Sequence, residues 1–106
     1  MLSDEIRAAL AERRNTDDNW SDGLKRCWER ETGLLTRDIS ETIAFFESCS
    51  AEEFVMLSEV FDDISERAQS REFIECLYRI AEKFSKETEN YNIIYCIQCA
   101  EKLLGV

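Results

Sequence analysis

The sequence predicts an all-α fold: one domain over residues 1–106, about six helices in an antiparallel bundle or a short curved stack of helical hairpins. Three observations carry this. The chain has no proline and only three glycines, so it lacks the turn residues that a β-rich protein needs at short intervals. Apolar residues recur at the spacing of one helical face in segment after segment. A hydrophobic content of 44% with 10% aromatics is enough for one modest core and is not the composition of a disordered tail.

A first helix is expected over residues 3–14. Ser3 is placed to cap it, Asp4 and Glu5 suit the positive end of the helix dipole, and Arg13 and Arg14 suit the negative end. Ile6, Ala9 and Leu10 form its apolar stripe. A polar connection, NTDDNWSDG, leads to a second helix over about 21–32, with Leu24, Cys27 and Trp28 on one face and Gly33 as its stop. A third helix follows Thr36 and turns Ile39, Ile43 and Phe46 inward. Ser50-Ala51-Glu52-Glu53 is a capping box, with a hydroxyl at the cap and a glutamate three residues on. The helix it opens is expected to reach about Ala68 and to bury Phe54, Leu57, Phe61 and Ile64. A fifth helix starts near Ser70 and uses Phe73, Leu77, Ile80 and Phe84. The last is expected over about 89–104, with Ile93, Ile97, Ala100 and Leu104 inward and Gly105 at its end.

Charge is distributed unevenly along the chain. From Asp38 through Glu66 there are nine carboxylates and no lysine or arginine. Residues 38–75 carry a net -9 of the total -10. On a helical wheel for 51–68, Glu52, Glu59, Asp63 and Glu66 lie opposite the apolar arc, with Val55 and Met56 flanking them. Glu59 with Asp63, and Asp62 with Glu66, are like-charged neighbours one turn apart, each costing roughly 0.2–0.5 kcal/mol. One reading is a solvated outer face of an acidic protein. The other is a docking surface for a cationic partner, with its apolar flank as the desolvated centre. Such a field repels nucleic acid and anionic membrane.

The sequence carries no catalytic signature. It has no histidine, which removes the usual general base, the Ser-His and Cys-His nucleophilic pairs and imidazole metal ligands. There is no glycine-rich phosphate loop. Glu59-x-x-Asp62 and Glu72-x-x-Glu75 could in principle hold Mg²⁺ in an all-α nucleotide hydrolase, but no basic cluster stands nearby to hold phosphates. Cys96-x-x-Cys99 is a lone pair inside an expected helix with no strand before it, so it reads as small apolar packing residues. Five scattered cysteines, an odd number, fit reduced thiols in a cytoplasm. No apolar run is long enough to span a membrane, and the N-terminal residues do not read as a signal peptide. Trp20, Trp28, Tyr78, Tyr91 and Tyr95 are the aromatic anchors to consider. Trp28 falls on a helical apolar face, whereas Trp20 lies in the polar connection.

The stretch SAEEFVMLSEVFDDISERAQSREFIECLYRIAEKF, followed by NIIYCIQCAEKLL, resembles the immunity proteins of bacterial contact-dependent growth inhibition systems. The likeness covers residues 50–104. It consists of an acid-rich EEF-x-x-LSEVF helix, an S-x-E-F-I-E-x-L helix and a final A-E-x-L pattern, here Ser50–Phe61, Ser70–Leu77 and Ala100–Leu103. The resemblance implies a cytoplasmic, non-enzymatic protein that binds and blocks a cognate C-terminal toxin domain, commonly a basic nuclease, with an RNase favoured. No cofactor, metal, nucleic acid or membrane is implied. The expected contact residues are Val55, Met56 and Trp20, ringed by Glu52, Glu59, Asp62, Asp63 and Glu66. Two other functions stay open on the residues alone: the Mg²⁺-dependent hydrolase, and an adaptor that mimics nucleic acid for some other basic protein.

Overall fold

In the computed structural model, which describes residues 1–105, helices account for all regular structure. They are α1 (Leu2–Arg14), α2 (Ser21–Leu35), α3 (Ile39–Ser48), α4 (Ala51–Leu57), a 3₁₀ turn (Ser58–Val60), α5 (Phe61–Ala68), α6 (Arg71–Lys83), α7 (Ser85–Asn90) and α8 (Ile93–Lys102). The described residues contain no strand. The chain measures 33 × 29 × 25 Å along its principal axes. Helix α1 packs on α2, α3 packs on α6, and α8 lies against α5, α6 and α7.

The expected helical segments are present, and two of them are interrupted. The long acidic helix breaks at Ser58–Val60. There the Ser58 hydroxyl donates to the Val55 carbonyl, a local bond that competes with the α-helical ladder and bends it. A 3₁₀ turn advances ~120° per residue rather than ~100°, so the acids after it leave the line of those before it. The last helix is split as well, because Asn92 adopts left-handed backbone (φ 53°) between α7 and α8. Asparagine tolerates that region better than most residues.

Three helix boundaries differ from expectation. Leu2 is drawn into the core, so α1 begins there and Ser3 caps nothing. Gly33 is interior to α2, which continues until Leu35 is fully buried and ends at Thr36. Asp38 caps α3, its carboxylate accepting from the N–H groups of Ser40 and Glu41. The Ser50 capping box forms as read, with both reciprocal hydrogen bonds present.

Phe46 occupies the centre of the core. Its ring meets those of Phe45, Phe54, Phe61 and Phe73 edge-on at centroid separations of 5.8–6.3 Å. Those rings come from α3, α4, α5 and α6, so one side chain ties four helices together. Buried hydroxyls fix the remaining seams. Ser65 donates to the Ala100 carbonyl (2.6 Å) across α5 and α8, and Thr42 donates to Leu35 (2.7 Å). Gln69, left-handed at the end of α5, donates to the Leu103 carbonyl and accepts from Gly105 N–H, which joins that end to the end of α8.

Candidate functional site

The α1 C-terminus, α4, the 3₁₀ turn and α7 enclose a groove of about 800 Å³. Arg13, Arg14, Asp18, Glu52, Val55, Met56, Ser58, Glu59, Glu87 and Tyr91 are among its lining residues. A smaller depression continues past Ser58 and Glu59 to Asp62 and, on α8, to Tyr95, Cys96 and Cys99. Tyr91 and Tyr95 are 63% and 60% exposed, so two large rings flank the groove without internal packing partners to cover them. Val55 and Met56, half-buried and packed against the core, line the groove with Tyr91.

The acidic segment is not left bare, which corrects the expectation of an unneutralised band. Arginines of α1, far away in sequence, fold over its first half. Arg7 Nε meets Glu53 at 2.9 Å, and Arg14 Nε meets Glu52 at 2.9 Å. Arg13 holds Glu59 with two prongs, Nε to Oε1 at 3.1 Å and Nη2 to Oε2 at 2.9 Å, while its Nη1 reaches Asp18 at 3.0 Å. The Arg13 side chain is only 16% exposed, and these hydrogen bonds raise its pKa further above the ordinary arginine value. Glu47 lies 3.9 Å from Arg79. Among the described residues, Glu41, Asp62, Asp63 and Glu66 make no ion pair, and Asp38 is used as a cap.

Burial opposes the charge of Glu53, but the Ser50 backbone N–H and Arg7 outweigh it and hold this carboxyl below its usual range. Asp63 behaves in the opposite way. Partial burial raises it, Asp62 adds to that, and Glu66 and Glu29 contribute in the same sense against the opposing Arg67. The unpaired acids of α5 therefore form a repelling cluster.

Glu31 of α2, within reach of the charges of Glu59 and Arg13, has no solvent exposure and no hydrogen-bond partner for either oxygen. Burial pushes its carboxyl up to about 7, Glu59 pushes the same way, and Arg13 partly counters them. Trp28 Nε1 and Thr32 Oγ1, on the same helix, are also buried and unpartnered.

Of the contact residues expected from sequence, Glu52, Val55, Met56, Glu59 and Asp62 come together at the groove. Asp63 and Glu66 do not line it; they lie beyond the 3₁₀ turn, where the charges of Glu29 and Arg67 act on Asp63 and those of Asp63 and Glu66 on Arg67. Trp20 is 50% exposed and stands apart, folded over the first turn of α2 with Arg26 4.7 Å from its ring centre. A Cβ on Gly23 would sit 2.3 Å from that ring, so glycine is what permits this approach.

Several groove residues escaped the sequence reading. Asp18, Glu87, Arg13 and Arg14 belong to it, and Tyr91 and Tyr95, considered from sequence only among five aromatic anchors, join them. For the tyrosines a signal existed. Both fall outside the Ile93, Ile97 and Ala100 stripe, and large rings off the buried face of a helix are exposed ones. Cys96 and Cys99 are half-buried beside the groove, and all five thiols are free. No three acidic or thiol groups among the described residues converge to hold a metal ion, and Glu59 is engaged by Arg13. No helix is long and apolar enough to cross a membrane among the described residues. No protein-family profile matches the chain, and no curated protein or solved structure shows significant similarity to it.

Proposed function

We propose that this chain is a non-enzymatic immunity protein of a contact-dependent growth inhibition system. It acts in the cytoplasm of the producing cell. There it binds a cognate C-terminal toxin domain, a basic nuclease with an RNase favoured, and covers its phosphate-binding surface. The observation that carries this is the groove itself. Its two sections set Asp18, Glu52, Glu59, Asp62 and Glu87 against only Arg13 and Arg14, a formal net charge of -3. Tyr91, Tyr95, Val55 and Met56 are interleaved with these groups. Aromatic and apolar residues in a concave patch supply the desolvated centre of a protein interface, while surrounding charges set on-rate and partner choice.

The contact set therefore differs from the sequence expectation. Tyr91 and Tyr95 take the anchoring role first assigned to Trp20, and Glu87 and Asp18 join the ring in place of Asp63 and Glu66. The resemblance over residues 50–104 names the biological setting; the groove supplies the physical reason for a cationic partner.

The test begins with co-purification of the chain and the C-terminal domain of the toxin encoded beside it, followed by a nuclease assay with and without the chain. Asp62→Lys combined with Glu87→Lys is then expected to slow association ~10-fold or more at low salt and to flatten its ionic-strength dependence. Tyr95→Ala is expected to act on dissociation instead. An unchanged association rate in the charge-reversed variant contradicts the groove as the docking surface.

A further inference from the structure

Two carboxylates share one guanidinium at the middle of the groove, and a third carboxyl close by has no partner. Arg13 serves Glu59 with two nitrogens and Asp18 with the third, and Glu31, which feels the charges of both Arg13 and Glu59, has nothing. A fully buried carboxyl with no hydrogen-bond partner, close to a two-pronged ion pair, gains a partner if it ionises and the guanidinium turns to it. The charged groups facing Glu31 are Arg13 from α1 and Glu59 from the 3₁₀ turn. On α5, which also packs against α2, Arg67 is turned outward to Glu29 at 2.8 Å and does not serve it.

Resting on the docking role given above, we propose that Glu59 and Asp62 form a subsite for a lysine or arginine side chain of the basic partner, and that filling it transfers Arg13 from Glu59 to Glu31. The incoming cation takes Glu59 and Asp62, with the exposed Tyr95 ring beside them to receive it by a cation–π contact. Arg13 keeps Asp18 and turns inward. Glu31 then gives up its proton to solvent and becomes the new partner of Arg13. Trp28 Nε1 and Thr32 Oγ1, also buried and unpartnered, lie on the same helix. This exchange relieves the displaced guanidinium, whose side chain is only 16% exposed and which would otherwise be left with only Asp18. It also couples binding to the release of one proton at pH values below that at which free Glu31 ionises.

The probe is a tri-arginine peptide amide, added to the full wild-type chain carrying ¹³C-labelled glutamate. Carboxyl carbons are followed by NMR across pH 4–9. Free Glu31 titrates near 7. With the peptide bound, its midpoint is expected to fall by ~1–3 pH units, while Glu59 and Tyr95 resonances shift. Peptide affinity is expected to rise ~10-fold per pH unit between the two midpoints, and Glu31→Gln is expected to bind without this pH dependence. Groove resonances that move while the Glu31 midpoint stays fixed overturn the exchange and leave the docking role standing. Groove resonances that do not move overturn the subsite. The docking role is then decided separately by the toxin-domain kinetics.

Discussion

Phe46→Ala is expected to destabilise the chain by ~3–5 kcal/mol, measured as the change in unfolding free energy in urea. The ring is fully buried and is the common neighbour of four other phenylalanines. Removing it takes away its own transfer energy and leaves a void whose walls belong to α3, α4, α5 and α6, so no single helix can shift to close the gap. Domains of this size hold ~5–15 kcal/mol in total, and the variant would retain a fraction of that. Phe84, which is half-buried and has Phe54 as its ring neighbour at 6.0 Å, should cost much less when truncated. Equal costs for Phe46 and Phe84 would contradict the central position of Phe46.

The second large effect is a loss of stability as pH rises, caused by Glu31. Its folded carboxyl ionises near 7, above the value of 4.5 that it has when exposed. The folded state therefore holds a proton that the unfolded chain has already lost between those two pH values. Stability falls through that window and levels off above it, by up to ~3 kcal/mol. Carboxyls held low, such as Glu53, act in the opposite sense and lose their contribution only as pH falls below the normal carboxylate range. Glu31→Gln isolates the effect. The variant should be distinctly more stable than the wild type at pH 8, and the advantage should shrink towards pH 4.5. A difference between the two chains that does not change with pH contradicts a buried, proton-holding Glu31.

The helical architecture was legible because its signals are local. The apolar stripes of α5, α6 and α8 and the Ser50 capping box are written within a few residues of each other, and the structure uses them as read. The acidic surface was half legible. Nine acids without a base is a correct statement about residues 38–66, but Arg13 meets Glu59 from 46 residues away and Arg14 meets Glu52 from 38. Periodicity carries no information about which distant helix supplies a countercharge. The 3₁₀ turn was hidden for a related reason. One serine hydroxyl bonding back to Val55 sits at the break before Asp63 and Glu66, and serine is common enough inside helices that its presence alone announces nothing. Tyr91 and Tyr95 were visible as aromatics off the buried face. Their position beside Met56 and Glu59 depended on the left-handed turn at Asn92 and on how α8 crosses α5.

The most direct test of the groove as the docking surface is amide hydrogen exchange on the chain alone and in its complex with the toxin domain. Added protection is expected in two separate segments, residues 52–62 and residues 87–96, which meet only in the folded groove. Protection confined to the outer face of α6, around Glu72, Glu75 and Arg79, with residues 52–62 unchanged, would place the partner elsewhere and contradict the account.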